Sequence, residues 1–415
     1  MKTIPFFNYG EPEVLHLQKI SSNLLGHGAN KIATKLLVLA LLSIAGSLWS
    51  QKSVLSGYLK DSKTGEALIG ATVYKEGSQT GTLTDLSGYY SLELPVGKSS
   101  ITFVQFGYLK QTHNLDLNTS KTFNVMLIEN PQNLTEVTVS SARLDQNITS
   151  MDMGVSRLDM KEVSKMPALL GEVDVIKSLQ TLPGVSSIGE GASGFNVRGG
   201  NIDQNLVLMD EAPVYNSSHL FGFFSVFNPD AVKDLKLYKG SVPAQYGGRA
   251  SSILDVRMKD GNKKDVEVNG GIGTVFSRLS IEAPVIKDKM GVIVAARRSY
   301  LDVVAKPFMK GEMKDMKANF SDFTAKLNWN INEKNNVSLS GYLGRDVFGS
   351  LFDFNYGNTT STLRWNHVYN TKWFSNLTAF YSDYKYYLKF DDNILNFAMS
   401  SRIINKSLKK DFSYS

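Results

Sequence analysis

The stretch FTAKLNWNIN, from Phe323 to Asn332, places an apolar residue at every second position and a polar residue after each one. Successive side chains on a β-strand point to opposite faces, so this spacing gives one apolar face and one polar face. The apolar set is Phe323, Ala325, Leu327, Trp329 and Ile331, against Thr324, Lys326, Asn328, Asn330 and Asn332. The pattern predicts a strand whose apolar face points outward and whose polar face points inward.

The same alternation recurs from Asp265 onward. Two further apolar sets are predicted to face outward: Val266, Val268, Ile272 and Phe276, against Asp265, Glu267 and Asn269; and Tyr384, Tyr386, Leu388 and Phe390, against Lys385 and Lys389. Polar turns at 287–289 and 332–336 separate strands of about ten residues, a length typical of a membrane barrel wall. A soluble β-sandwich is the alternative, but it would use shorter strands.

The composition excludes several classes of function. The 415 residues suffice for two or three domains, and 42% hydrophobic residues suffice for buried cores. A net charge of +6 without a run of Lys or Arg argues against a nucleic-acid partner. The absence of cysteine excludes disulfides, thiolate metal sites, a cysteine nucleophile and a lipid-acylated cysteine.

The longest apolar run, LLVLALLSIAGSLW, spans 36–49 and follows Lys31 and Lys35. As a helix its 14 residues would rise about 21 Å, short of the roughly 30 Å hydrocarbon core of a bilayer. Basic residues before the run and small residues near its end predict a secretory signal within residues 1–50, cleaved near Ser50 and Gln51. A buried core helix is the alternative, although the run has no polar face.

Residues 51–130 contain short strands separated by turns. Alternation at 91–94 and 122–127 gives each strand one core face, and Gly65, Gly77, Gly88 and Gly97 supply the turns. The spacing predicts a small β-sandwich.

GYLKDSKTGEALIGATVYKEGSQTGTLTDLSGYYSLELPVG, from Gly57 to Gly97, is followed by FGY at 106–108. This sequence resembles the carboxypeptidase regulatory-like domain. The resemblance implies no peptidase, because the segment has a single histidine, His113, and no metal-ligand partner near it in sequence. Three carboxylates are expected to be solvated: Asp61, Asp85 and Glu93.

Residues 131–152 are polar and predict a linker. Inside it, LTEVTV at 134–139 alternates apolar and polar residues, so it could add as a strand to the edge of a partner's sheet. Its place between two domains resembles the TonB box, which transporters offer to the TonB energy-coupling protein. The resemblance implies TonB contacts at Leu134, Thr135, Glu136, Val137, Thr138 and Val139; an ordinary structural strand is the alternative.

Residues 153–262 predict a mixed α/β unit. Val173, Ile176 and Leu179 lie on one helix face that should end before Pro183. Asn228 followed by Pro229 predicts a second short helix. Residues 195–198, 199–200 and 206–209 predict a strand, a tight turn and a strand, and 235–238 predicts another strand.

FNVRGG at 195–200, LVLMDEAPVYN at 206–216 and VKDLKLYKGSVPAQYGGRASSILDVRM at 232–258 together resemble the plug domain of TonB-dependent outer-membrane receptors. The matching motif residues are Arg198, Gly199, Gly200, Asp210, Tyr246 and Gly247. The resemblance implies that Arg198 is buried and ties plug to barrel wall; an exposed turn arginine is the alternative. Glu211 departs from the family, where many members carry glycine.

Enzyme chemistry is not indicated. Gly194 and Gly199 have phosphate-loop spacing, but Gly200 and Asn201 stand where Lys and Ser or Thr are needed. Asp210 and Glu211, as neighbours on a strand, would point to opposite faces and could not act on one bond. The five histidines lie far apart in sequence and show no metal-ligand spacing: His16, His27, His113, His219 and His367. No enzyme activity, cofactor or metal is therefore expected.

The fold class predicted is mainly β: a small β-sandwich, an α/β plug domain, and the first strands of a transmembrane antiparallel β-barrel at 263–415. The resemblance implies energised uptake of a scarce large ligand, namely an iron chelate, cobalamin or an oligosaccharide. A non-transporting surface adhesin or signal transducer is the alternative. The implied partners are TonB, outer-membrane lipid, an extracellular ligand and a surface lipoprotein.

The ligand itself is not indicated. Tyr215, Phe221, Phe223 and Phe224 could stack on a sugar or chelate, although contacts with the plug core or the wall are favoured for them. Only about eight or nine strands fit after Asp265, whereas plugged transporters have about 22. The chain is therefore expected to be incomplete.

Overall fold

A computed structural model describes nine ranges of the chain: 52–130, 154–166, 173–187, 189, 194–240, 242–311, 316–349, 352–391 and 396–414. The predicted signal at 36–49 and the predicted TonB box at 134–139 lie outside them. We name three parts of the fold: the sandwich (52–130), the plug (154–262) and the wall (267–414).

The sandwich consists of two sheets around a core of buried side chains such as Leu55, Tyr90 and Phe103. One sheet has the order β4-β1-β7, with β8 also paired to β1, and the other has the order β3-β2-β5-β6. The strands are β1 (Lys52–Asp61), β2 (Thr72–Lys75), β3 (Gly81–Leu83), β4 (Tyr89–Pro95), β5 (Lys98–Val104), β6 (Gln111–Asp116), β7 (Lys121–Thr122) and β8 (Val125–Leu127).

Two expectations for the sandwich are wrong in detail. Asp61 is 2% exposed rather than solvated, because its carboxylate accepts hydrogen bonds from Thr64 N (2.7 Å) and Tyr108 Oη (2.8 Å). Those donors lower the pKa of Asp61, although burial alone would raise it. The strand expected at 122–127 is interrupted after Thr122, where Phe123 N donates to Ser56 O.

The plug is built on a five-stranded mixed sheet of order β13-β12-β17-β16-β9, in which β12 and β17 are parallel. Its elements are β9 (Val155–Asp159), α1 (Met160–Val163), α2 (Val175–Leu179), β10 (Val185–Ser187), β11 (Phe195–Val197), β12 (Asn205–Met209), β13 (Ala212–Pro213), β14 (Ser218–His219), β15 (Phe224–Ser225), β16 (Val232–Tyr238) and β17 (Ser252–Met258). Short 3-10 helices lie at Ile202–Gln204 and Leu220–Gly222.

The structure of the plug corrects two local predictions and agrees with a third. The helix begins only after Val173, because Asp174 caps it by accepting from Lys177 N. Asn228 starts a single turn rather than a helix, since β16 begins at Val232. The strands predicted on either side of the 199–200 turn are present as β11 and β12; β11 pairs with β10, and β12 pairs with β13 and β17.

The wall is an eight-stranded antiparallel sheet in sequence order, from β18 to β25. Its elements are β18 (Glu267–Ile272), β19 (Phe276–Ile286), β20 (Met290–Ser299), α3 (Leu301–Ala305), β21 (Lys317–Asn332), β22 (Asn335–Gly349), β23 (Phe352–Val368), β24 (Trp373–Asp391) and β25 (Asn396–Tyr414). A 3-10 helix follows α3 at Lys306–Phe308. No helix in the described ranges has the length and apolarity needed to cross a membrane.

The predicted alternation is confirmed in β21. Phe323 and Trp329 are 42% and 37% exposed, whereas the polar residues between them, such as Lys326 at 4%, are buried against the plug. The polar face therefore points inward, and we call its positions the inward face.

Three predictions about the wall are wrong. Strands β21 to β25 have 15 to 19 residues instead of about ten, because cross-strand pairing continues through polar rows without a turn signal. Phe276 starts β19 and is 2% exposed in a cluster with Phe224 and Phe320. Tyr384 and Tyr386 share the inward face with Ser382, which donates to the carbonyl of Pro213 in the plug.

Candidate functional site

Charged side chains of the plug and of the wall's inward face are buried against each other in three clusters. The histidine cluster consists of His219, Arg297, Asp322 and Asp346. His219 Nδ1 lies 2.6 Å from Asp346 Oδ2, and its Nε2 lies 3.2 Å from Asp322 Oδ2. Arg297 donates through Nε and Nη2 to Asp322 Oδ2 at 2.8 and 2.7 Å, and Nη2 also donates to Ser225 O. This cluster joins one plug hairpin to three wall strands.

Burial alone would lower the pKa of His219, but Asp346 and Asp322 outweigh it and raise this pKa. The imidazole also stacks on the Phe320 ring, with 4.3 Å between ring centroids. An imidazolium between two aspartates, with Arg297 beside them, gives the cluster two positive and two negative charges. The cluster is therefore internally compensated.

The backbone after His219 is held in an unusual conformation. Leu220 and Phe221 have φ of 48° and 58°, a region that costs energy for residues with a side chain. Leu220 N donates to Asp346 Oδ1 (2.8 Å) and Phe221 N donates to Tyr356 Oη (3.2 Å). The wall thus supplies the hydrogen bonds that hold this plug segment in shape.

The lysine cluster surrounds Lys326 of β21. Lys326 Nζ lies 3.2 Å from Asp210 and 3.0 Å from Asp260, and it donates to Met258 O. Burial raises the pKa of Asp260, but Lys326, Lys233 and Lys263 outweigh it and the pKa is lowered. Burial lowers the pKa of Lys263 to about 8. One wall ammonium thus holds two plug carboxylates.

The glutamate cluster surrounds Glu211 at the two-residue turn between β12 and β13. Asp210 and Glu211 have φ of 45° and 74°, as a type I′ hairpin turn requires, so they lie in a turn and not on a strand. The Glu211 carboxylate lies 3.1 Å from Arg364 and 3.6 Å from Arg257. Burial raises the pKa of Glu211, but these two arginines outweigh it and lower the pKa.

Aromatic side chains form a patch on the inward face beyond the histidine cluster, where the plug carries Phe221. Phe221 stacks on Phe354 at 5.6 Å and meets Phe348 edge-on at 5.0 Å. The patch, which we call the aromatic platform, comprises Phe348, Phe352, Phe354, Tyr356, Tyr384, Tyr386 and Phe390. Tyr384 also meets plug Tyr215 at 6.4 Å.

The structure shows the surroundings of the four plug aromatic residues that the sequence analysis considered as ligand contacts. Phe224 is 3% exposed in a core with Phe276 and Phe320, while Tyr215 and Phe221 contact wall aromatics. Phe223 is 49% exposed. The favoured core or wall contact is therefore confirmed for three of them, and Phe223 remains open to solvent.

The predicted motif residues are placed as follows. Arg198 is exposed in the described chain, has φ 49° and lies beside Gly184 and Gly240 of the plug. Gly199 has φ 81°, and a Cβ on Gly200 would overlap the Ser251 side chain.

Tyr246 donates to Asp255 (3.2 Å), whereas Gly247 is exposed with open space around it. Asp210 is the motif residue that reaches the wall. Gly200 and Tyr246 lie next to other plug residues, Ser251 and Asp255 respectively.

Sequence reasoning missed the histidine cluster. His219 and Asp346 are 127 residues apart, and no short-range spacing links them. Polar residues at inward positions of the wall strands were the available signal, but they do not say which plug residue each one meets. No group of side chains suited to holding a metal ion occurs in the described part of the chain.

Two family models match the chain. The CarboxypepD_reg-like domain matches residues 55–139, and the TonB-dependent Receptor Plug Domain matches residues 150–252. TonB-dependent receptor SusC from Bacteroides thetaiotaomicron is 28% identical over 259 residues, which are 57% of this chain and 24% of SusC. The chain thus spans about a quarter of the length of this curated relative.

Two solved structures are similar to part of the chain. The siderophore receptor PirA from Acinetobacter baumannii is 15% identical, with a TM-score of 0.46 over 62% of this chain and 44% of PirA. The outer membrane transporter YddB from Escherichia coli is 13% identical, with a TM-score of 0.46 over 63% of this chain and 45% of YddB. The chain thus contains a CarboxypepD_reg-like domain and a TonB-dependent receptor plug domain, and it is a relative of the TonB-dependent receptor SusC.

Proposed function

We propose that the chain belongs to a transporter that takes up a scarce, large ligand with energy delivered by TonB. The observation that carries the proposal is the set of three ion clusters buried between plug and wall. The attraction within a buried ion pair is largely offset by the hydration that its charges lose. Each cluster therefore fixes the position of the plug. When the plug and the wall separate in water, the charges regain the hydration that they lost on burial. An interface of this kind suits a plug that must leave its seated position and return to it.

Coupling to TonB is proposed at Leu134–Val139. An extended segment gains affinity by adding its main-chain N–H and C=O groups to the edge of a partner's sheet. The alternating side chains of Leu134, Glu136 and Thr138 on one face, and of Thr135, Val137 and Val139 on the other, suit that mode of binding. The partner would be the periplasmic domain of TonB.

Replacing Val137 with proline is expected to reduce energised uptake to background while ligand binding changes by less than about twofold, because proline removes one main-chain donor. Val137→Ala keeps the donor and is the matched control. Uptake would be measured in cells that express the receptor at full length, with three labelled probes: a ferric catecholate chelate, cobalamin and a linear glucan oligosaccharide. Undiminished uptake by the proline variant would contradict the assignment.

The adhesin or signal-transducer alternative predicts a different outcome in the same cells. A receptor of that kind would bind a probe at its surface but would not accumulate it. Deleting 134–139 would then leave both binding and the biological effect unchanged. Probe accumulation that depends on the segment excludes that alternative.

The aromatic platform is proposed as part of the ligand-binding surface. Its rings lie on the inward face beside the plug's Phe221, which is 49% exposed. At the level of the platform, the described inward positions are the even-numbered ones from 346 to 348 of β22, from 352 to 356 of β23 and from 384 to 390 of β24. None of them is lysine or arginine, and Asp346 itself is engaged by His219. Flat rings without nearby cations favour a neutral ligand with apolar faces, such as a sugar ring, over an anionic iron chelate.

Tyr386 and Tyr387 give a matched pair of variants, because neighbours on a strand face opposite sides. Tyr386→Ala should weaken binding of the oligosaccharide roughly two- to tenfold, since one aromatic contact is worth about 0.5–1.5 kcal/mol. Tyr387→Ala, on the outer face, should leave binding unchanged. Equal effects of the two substitutions, measured by titration calorimetry on purified receptor, would argue against the platform.

A further inference from the structure

The sandwich is bonded to the plug on one side. Lys233 Nζ donates to Ala67 O at 2.7 Å and lies 3.3 Å from Glu66, while Arg157 Nη1 donates to Gly70 O at 2.8 Å. Asp260 N donates to the Glu66 carboxylate at 2.5 Å. The side chains of Lys233 and Glu66 are only 16% and 11% exposed. We call these the plug-side contacts.

The sandwich also contacts the turns that join wall strands. Tyr58 Oη donates to Glu333 O (2.9 Å) in the turn between β21 and β22, and Ser91 Oγ donates to Thr371 O (2.6 Å) in the turn between β23 and β24. In the latter turn Lys372 lies 3.3 Å from Glu93. The rings of Tyr89 and Phe374 meet at 5.3 Å. We call these the wall-side contacts.

The two sets differ in burial. The side chains of Lys372 and Glu93 are 39% and 31% exposed. Those of Lys233 and Glu66 are 16% and 11% exposed, less than half as much. Solvent-exposed ion pairs hold their partners weakly, because water replaces each one readily. The wall-side contacts are therefore the easier set to open.

Geometry makes one set open whenever the plug moves. A rigid sandwich cannot keep its contacts with both plug and wall while those two parts shift relative to each other. We propose that the sandwich is a releasable brace, which stays bound to the plug and detaches from the wall turns when the plug is pulled. This inference rests on the proposed function, because it takes the pulling force from TonB.

These 415 residues contain no cysteine, so in a receptor without other cysteines a single introduced thiol can report on each side of the sandwich separately. Ser91 is 3% exposed against the wall turn, and Ile69 is 8% exposed at a cavity of about 360 Å³ that plug residues such as Leu158 and Val232 also line. Maleimide labelling of Ser91→Cys should accelerate about tenfold in energised cells relative to cells treated with a protonophore. Labelling of Ile69→Cys should be the same in both.

Faster labelling at Ile69→Cys, or no change at Ser91→Cys in cells that take up a probe, would overturn the proposal. A readout that needs no uptake separates this proposal from the transport function. In purified receptor, Glu93→Gln should speed labelling at Ser91→Cys and leave Ile69→Cys unchanged, whereas Glu76→Gln, at a salt bridge within the sandwich, should change neither. If Glu93→Gln speeds both sites equally, the sandwich detaches as a whole and the brace is excluded.

A disulfide staple tests whether release is required. An ideal Cβ on Gly65 lies 3.6 Å from Lys263 Cβ, within the range for a disulfide, and Asp288 N of a wall turn donates to Lys263 O. Oxidised Gly65→Cys/Lys263→Cys receptor should lose uptake, and dithiothreitol should restore it. The two single variants control for the left-handed turn at Gly65 and for the lost lysine. Equal uptake by oxidised and reduced double variant would overturn the requirement for release.

Discussion

Replacing Arg297 with methionine is expected to prevent the plug from seating in the wall. Arg297 is 2% exposed, and the substitution leaves the Asp322 carboxylate buried with only His219 as a cationic partner. Removing one partner of a buried ion pair costs about 3–5 kcal/mol, a large part of the stability of a typical domain. The loss also removes the donor to Ser225 O in the plug and the cation above the Phe320 ring.

The measurement is the amount of folded, protease-resistant receptor recovered from outer membranes, together with its thermal unfolding in detergent. Arg298→Met is the control, because Arg298 is the next residue on β20 and lies on the exposed outer face. The double variant Arg297→Met/Asp322→Leu should recover part of the lost stability, since it leaves no buried carboxylate without a cationic partner. An Arg297→Met receptor as stable as wild type would show that the histidine cluster does not hold the plug.

The faces of the wall strands were predictable because the side-chain period of a strand is two. The sequence therefore predicted the inward and outward sets correctly from Phe323 to Trp329, whereas Asn332, predicted inward, is exposed beyond an irregularity in the pairing. The same rule failed at Tyr384 and Tyr386, where the inward face itself becomes aromatic as it passes beyond the ion clusters. Side-chain polarity identifies the inward face only where that face packs against the charged residues of the plug.

The pairing of charges was not predictable from the sequence. Lys326 was correctly placed on an inward face, but its partners Asp210 and Asp260 come from two separate plug segments, the turn after β12 and the residues after β17. Which plug residue meets which strand depends on how the two parts dock, and no local spacing encodes that.

Glu211 affects the stability of the seated plug in two ways that have opposite signs. Its φ of 74° lies in the left-handed region, which costs roughly 1–3 kcal/mol for a residue with a side chain. Against this, its carboxylate neutralises Arg364, which is 4% exposed, and Arg257, which Asp255 also pairs at 2.7 Å. Leaving a buried arginine without its carboxylate costs about 3–5 kcal/mol, so the ion pair is expected to outweigh the strain.

Glu211→Gly should therefore destabilise the seated plug by about 2 kcal/mol, the difference between those two costs. The double variant Glu211→Gly/Arg364→Met should recover most of the lost stability. It removes the backbone strain at position 211 and leaves no buried Arg364 without its carboxylate. The lowered pKa of Glu211 fixes the pH dependence: its contribution is present above the ordinary glutamate pKa and disappears as pH falls through the lowered value. Wild-type receptor should lose this contribution in acid, and Glu211→Gly should show a smaller loss. Thermal unfolding of the three proteins across pH tests both points, and a Glu211→Gly receptor more stable than wild type would mean that backbone strain is the larger effect.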